Sequence, residues 1–208
     1  MTPTPIFHNH DKEEAVAFIA AHPFAVLAVN GGNGPVAAMV PLVFDEAGQK
    51  LLGHVARANP FWSAAEQSQA HAVAVFRGAD AYVSPSSYPS KQEHGKVVPT
   101  WNYMAVEIRG QIKIETEPEA IRPYITALTD KMESHRALPW QVSDAPDDYI
   151  AKLSRAIIGF SLEIKDITYV RKLSQNKSVA DKQGVVDALK ASEKYEERLI
   201  AQEMKEAN

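Results

Sequence analysis

A chain of 208 residues with a formal net charge of -4 and a pI near 6.0 is poorly suited to a surface built all over for phosphate backbones, although one basic face is still allowed. Its 45% hydrophobic and 23% charged residues give the balance of a globular protein with a sizeable core, and no run approaches the roughly 18 apolar residues of a membrane span. With no cysteine it has neither disulfides nor thiolate chemistry, which fits a reducing compartment. The opening MTPTPIFHNHDKEE is acidic and polar where a signal peptide needs a positive start and an apolar centre, so the expectation is a soluble, cytoplasmic protein without a membrane partner.

Asp11 followed by Glu14 resembles a capping box, and Ala15, Phe18 and Ile19 recur at helical spacing until Pro23, which predicts a short helix with an apolar stripe. The β-rich runs Pro23 to Val29 and Pro35 to Asp45 flank the turn-rich Asn30 to Gly34 and read as a hairpin. Asp45 to Gln49 reads as another turn. A third strand follows over Lys50 to Ala56, where Leu52 and His54 alternate with Leu51, Gly53 and Val55. Asn59 then caps a helix over Pro60 to Ala70, with Phe61, Ala64 and Ala65 on one face. A strand running into a helix N-terminus with Arg57 at the junction is a seat suited to an anion.

Strands resume over His71 to Gly78 and Ala81 to Pro85, joined by a tight connection at Ala79 and Asp80. In the stretch from Ala81 to Tyr103, each proline fixes its own φ and biases its predecessor toward extended geometry. That predicts a stiff, non-helical loop holding Tyr82, Tyr88, Trp101 and Tyr103 in set positions. The alternation of Tyr103, Ala105, Glu107 and Arg109 with Met104, Val106 and Ile108 predicts a long half-buried strand, bent at Gly110. Glu117 to Ser134 reads as an amphipathic helix, followed by a polar segment, a short helix around Ile150, and a last strand over Ile157 to Leu173. Val179 to Ala207 reads as one or two helices, with Ser178 and Asp181 as a capping pair.

Six or seven strands joined mostly by short turns define the expected fold class: mainly β with peripheral helices (α+β), an antiparallel barrel rather than a doubly wound sheet. Neither the dinucleotide glycine motif nor the triphosphate loop is present, no metal site is expected, and no Ser-His-acid set has the context of a hydrolase. Lys165 to Lys182 carries five bases and two acids, a local +3 that favours a compact polyanion over a duplex. Arg57, Lys172, Ser174 and Lys177 supply charge and donors for a phosphate, while Tyr82, Trp101 and Tyr103 offer flat walls. Phosphate clamp plus aromatic wall describes a phosphorylated ring system, for which FMN is the obvious ligand. His54 and His94 leave haem on the same type of barrel as an alternative, and a DNA-binding repressor without redox chemistry is a further one.

HVARANPFW (His54 to Trp62), YVSPSSYPSKQEHGKVVPTWNY (Tyr82 to Tyr103) and KLSQNKS (Lys172 to Ser178) resemble, in order and spacing, the signature segments of the PaiB-type FMN-binding negative transcriptional regulator family. The resemblance runs over essentially the whole chain. It implies a pyridoxamine-phosphate-oxidase-like antiparallel split β-barrel of the FMN-binding type, one domain over residues 1–208 with a C-terminal helical extension at about 178–208. It also implies a homodimer with FMN at the subunit interface. Carried onto this sequence, the expected cofactor-binding residues are Met39, Val40 and Pro41 along the ring, Arg57 and Asn59 near the phosphate, and Lys172, Ser174, Gln175 and Asn176 in a closing segment. His54, Trp101 and Asn102 complete the set from the other motifs. The resemblance leaves flavin-linked regulation and small flavin oxidoreductase chemistry both open.

Overall fold

The computed structural model describes residues 4–45, 49–67 and 71–206. In chain order the elements are β1 (His8–Asn9), α1 (Lys12–Ala21), β2 (Phe24–Gly31), β3 (Gly34–Pro41), β4 (Val43–Asp45), β5 (Lys50–Ala56), α2 (Phe61–Gln67), β6 (His71–Val83), α3 (Ser90–His94), β7 (Thr100–Glu115), α4 (Arg122–Glu133), α5 (Asp147–Ser154), β8 (Ile157–Lys172), α6 (Val179–Lys190) and α7 (Tyr195–Glu206). The strands follow the order β3-β2-β6-β7-β8-β5-β4, and β1 pairs with β8. The ladders β1–β8, β2–β3, β2–β6, β4–β5 and β5–β8 are antiparallel. The turn expected over Asp45 to Gln49 and the helix tail expected over Ser68 to Ala70 fall on residues 46–48 and 68–70, outside the described residues.

The chain divides into two compact units. The first, here the hairpin unit, comprises Lys12–Phe76 and Glu107–Ile167. Its core follows from period-two alternation: Ala25, Leu27 and Val29 of β2 and Ala38 and Val40 of β3 are buried, while Phe24, Val26 and Met39 are exposed. Leu51 and Val55 of β5 face inward opposite Leu162 and Ile158 of β8, and with Phe61, Phe160 and Ile112 they form the apolar interior. Each such side chain contributes about 1.5–3 kcal/mol when fully buried. Gly110 marks a close backbone approach, because a Cβ there would lie 1.9 Å from the Glu163 carbonyl oxygen. Asn59 caps α2 as expected, its Oδ1 accepting from the Phe61 N–H at 2.9 Å.

The second, the loop unit, comprises Met1–Asp11, Arg77–Val106 and Thr168–Asn208. Val83, Tyr88, Met104, Val170, Val185, Ile200 and Met204 are buried in it. The stretch expected to be non-helical holds a 3-10 turn at Pro85–Ser87 and the helix α3. Proline is tolerated in the first turn of a helix, where its missing N–H has no partner to lose, so Pro85 and Pro89 start these turns instead of preventing them. Gly95 ends α3 in the left-handed conformation at φ 65°.

Other boundaries also differ from the sequence reading. His71 to Val83 is one strand and not two, because Gly78 is extended and Ala79 and Ala81 are buried strand positions. β7 is buried on both faces from Met104 to Ile108 and is therefore not half-exposed there. The helix read from Glu117 begins at Arg122, after a 3-10 turn at Pro118–Ala120.

Candidate functional site

In the hairpin unit, pairing of β2 with β3 sets Phe24 opposite Pro41, Val26 opposite Met39 and Ala28 opposite Ala37. These residues share the outer face of the hairpin, and Met39 is 66% exposed. The result is a ladder of apolar side chains in solvent. Val40, between two ladder residues, points inward and is buried. Phe24 and Val26 were missing from the sequence-based set. Their signal was present in Phe24 to Leu27, where apolar residues fall on both faces of the strand.

Arg57 stands at the β5–α2 junction, but two of its nitrogens donate to backbone. Nε reaches the Arg155 carbonyl at 2.8 Å, and Nη2 reaches the Thr116 carbonyl at 2.9 Å and the Ile157 carbonyl at 3.5 Å. The Arg57 carbonyl in turn accepts from Trp62 Nε1 at 2.8 Å, and Asn59 Oδ1 is held by the cap. The turn is therefore rigid. His54, on β5 opposite Gly159, has its Nδ1 buried and without a hydrogen-bond partner, and burial lowers its pKa.

In the loop unit, Lys172 Nζ donates to Thr100 Oγ1 at 2.6 Å and lies 5.9 Å from the centre of the Phe7 ring. No carboxylate pairs with it among the described residues. Burial and then the nearby Lys177 charge lower its pKa. Trp101, 53% exposed, meets Tyr82 edge-on with ring centres 5.8 Å apart.

Asn102 and Ser174 are brought together, but in the interior. Asn102 is 0% and Ser174 3% exposed, and their side chains hydrogen-bond each other. Gln175 turns back on its own segment, accepting from the Leu173 N–H at 2.7 Å and donating to the Arg171 carbonyl. Asn176 is exposed. His94, exposed on α3, accepts from the Lys96 N–H through Nδ1 at 3.0 Å and so shapes its loop.

Asp181 ties the proline-rich stretch to α6. Its carboxylate accepts from the Ser90 N–H at 3.1 Å and the Ser90 hydroxyl at 2.9 Å, and these bonds, the backbone one first, lower its pKa. Lys177 Nζ sits 4.9 Å over the Tyr88 ring.

Comparison with known proteins places these residues in a wider set. The chain is 28% identical over 202 residues to the protease synthase and sporulation protein PAI 2 of Bacillus subtilis, covering 96% of this chain and 94% of that protein. An uncharacterized protein of Aspergillus fumigatus is 30% identical over 217 residues, covering 82% of this chain and 83% of that protein. Among solved structures, the FAD and heme binding protein of Mycobacterium smegmatis is similar at TM-score 0.58 and 17% identity, covering 85% of this chain and 78% of that one. A conserved hypothetical protein of Mycobacterium tuberculosis is similar at TM-score 0.60 and 11% identity, covering 85% and 94%. The antiparallel split-barrel fold class with peripheral helices, expected from the sequence, is the fold of this chain. The profile described as "Putative FMN-binding domain" matches residues 1–166, more than half of the sequence, and the resemblance to PaiB-type proteins holds over almost its full length. The chain therefore belongs to this FMN-binding family, and FMN is the cofactor that the family assignment carries.

Proposed function

We propose that the protein is a cytoplasmic FMN-binding homodimer, with the cofactor at the subunit interface, and that it serves as a flavin-linked regulator. The observation that carries the reading is the exposed ladder Phe24–Pro41, Val26–Met39 and Ala28–Ala37. A flat apolar face of this kind is unusual in solvent and suits both a ring and a second subunit. In this reading Met39, Pro41 and the backbone at Val40 lie along the isoalloxazine. Asn59 and the remaining edge of Arg57 serve the phosphate from the hairpin unit.

In the loop unit Lys172, Asn176 and Trp101 are the members of the expected set that can reach a ligand. Asn102, Ser174 and Gln175 act by holding that segment in shape. Each unit by itself supports the reading: the hairpin unit offers an apolar wall and a buried His54 Nδ1 without a partner, and the loop unit a cation without a carboxylate. Bound FMN supplies reversible electron transfer, so the protein's part is to bind and orient it.

Helices α6 and α7 carry six acidic and four basic residues, a net charge of -2, which speaks against a direct duplex-reading role for this pair. Regulation then proceeds through the flavin and its partners. The test is a visible spectrum of the purified protein with mass identification of the released chromophore, and light scattering for the dimer. A flavin spectrum and a dimer that Val26→Asp weakens are expected. A colourless protein that also fails to take up added FMN would sink the reading, and a Soret band would replace it with haem.

A further inference from the structure

The outer face of the hairpin unit holds a cavity of about 240 Å³, lined by Ala28 and Asn30 of β2, Pro35 of β3, His71 and Val73 of β6, and Arg109 of β7. Three strands distant in sequence thus bring an amide, an imidazole and a guanidinium to one apolar floor. The Asn30 and His71 side chains have no hydrogen-bond partner among the described residues. Arg109 donates through Nε to Glu107 Oε1 at 2.7 Å, a bond that does not use the two terminal nitrogens of its fork.

Glu107 is the orienting group. Burial, the largest single influence, would raise its pKa, but its hydrogen bond and charge interaction with Arg109 act with its other interactions to lower it on balance, and the carboxylate stays charged. Asp166 of β8 also acts on Arg109, from an exposed position where solvent screens it. Arg109 is thereby held at Nε by one carboxylate, which leaves its two terminal nitrogens for the cavity.

We propose that this cavity is a subsite for a small organic carboxylate with an apolar body, held through its carboxylate by Arg109, Asn30 and His71. A planar guanidinium matches the geometry of a carboxylate, and the amide and imidazole N–H donors can complete its lone pairs. The apolar floor of Ala28, Val73 and Pro35 calls for a ligand with an apolar body and not a bare inorganic ion. At about 240 Å³ the cavity lies below the ~300–1,000 Å³ of sites for drug-sized molecules, so the ligand is small. Ala28 also belongs to the ladder assigned above to the flavin ring. Identifying the carboxylate as a flavin substrate rests on that FMN reading, whereas its binding does not.

The probe is benzoate, titrated into the full-length protein and followed by calorimetry and by amide shifts at Asn30, His71 and Arg109, with FMN content read by absorbance on the same sample. Saturable binding is expected, with benzamide weaker by about tenfold or more, the usual value of one ionic hydrogen bond. Arg109→Lys keeps a cation for Glu107 but loses the fork, and Asn30→Ala with His71→Ala leaves the Glu107–Arg109 pair intact. Both are expected to weaken benzoate about tenfold. Absence of saturation, equal binding of benzamide, tighter binding of inorganic phosphate, or unchanged affinity in both variants would overturn the proposal. Benzoate binding to a sample that takes up no FMN supports the subsite and fails the flavin reading alone, while an FMN-loaded sample that ignores benzoate fails only the subsite.

Discussion

Asn102 and Ser174, 72 residues apart in sequence, bond to each other twice in the interior of the loop unit: the amide donates to the hydroxyl at 3.0 Å and the hydroxyl donates back at 3.2 Å. Ser174 does so from the left-handed region, at φ 63°, a conformation that costs a non-glycine residue about 1–3 kcal/mol and persists only where the surroundings enforce it. Asn102→Ala strands a buried hydroxyl, and urea unfolding is expected to report a loss of about 1–3 kcal/mol. Ser174→Gly relieves the backbone while losing the bond, so it should cost less than Ser174→Ala, and the reverse order would contradict the strain.

Arg57→Ala leaves the carbonyls of Arg155 and Thr116 without their donor. The expected loss is about 1–3 kcal/mol, visible as a lower denaturation midpoint even in FMN-free protein. Arg57→Lys should recover little of it, because an ammonium on a flexible stem does not reproduce a fork that serves two carbonyls at once. A variant as stable as the parent would return Arg57 to a purely ligand-binding role.

His54 gives a pH dependence with a definite sign. Burial lowers its folded pKa below the ordinary imidazole value of about 6.5, so in the window beneath that value the unfolded chain binds more protons than the folded one. Stability from this group is complete above about pH 6.5 and declines as the pH falls toward the lower folded value. Unfolding measured from pH 7.5 to pH 5 should therefore show a steeper loss for the parent than for His54→Leu. Parallel curves would place the imidazole in water.

Asp181 has the opposite chemistry and a more acidic window. Its folded pKa is lowered, first by the Ser90 N–H, so its stabilisation is present above the ordinary carboxylate range and fades as the pH drops through the depressed value. Asp181→Asn should flatten the acid limb of the stability curve below about pH 4 while leaving pH 7 to 9 parallel to the parent.

Gly184 of α6 lies against the 3-10 turn at Pro85–Ser87, and a Cβ there would fall 2.2 Å from the Ser87 carbonyl oxygen. Gly184→Ala ordinarily favours a helix by about 1 kcal/mol. Here it should destabilise instead, because backbone and not a flexible side-chain tip must move. Thermal unfolding decides the sign.

Much of the scaffold was legible because it is local. The hydrophobic spacing of α1, the limits of β5 and the cap at Asn59 each depend on neighbours within a few residues. The misread points are those where local chemistry has two outcomes. Gly78, Ala79 and Asp80 have turn composition, yet Gly78 keeps an extended backbone and Arg77 pairs with Asp80 along the strand. For the site, polarity within a motif did not distinguish an exposed side chain from a buried one. Asn102 and Trp101 are adjacent, and only long-range packing makes one fully buried and the other open. Asn30, His71 and Arg109 left no sequence signal at all, since three strands far apart in the chain supply them.

The pairing of β1 with β8, His8 with Val170 and Asn9 with Tyr169, sets an order of events during synthesis. The first strand emerges roughly 160 residues before its partner, and at about 5–20 residues per second it waits on the order of 8–30 s on the ribosome. Its backbone donors and acceptors stay open to β8 for that time, and the ladder closes only once Tyr169 and Val170 have been made. Among the ladders β1–β8, β2–β3, β2–β6, β4–β5 and β5–β8, this one joins the strands farthest apart in the chain, so β1 waits longest for its partner.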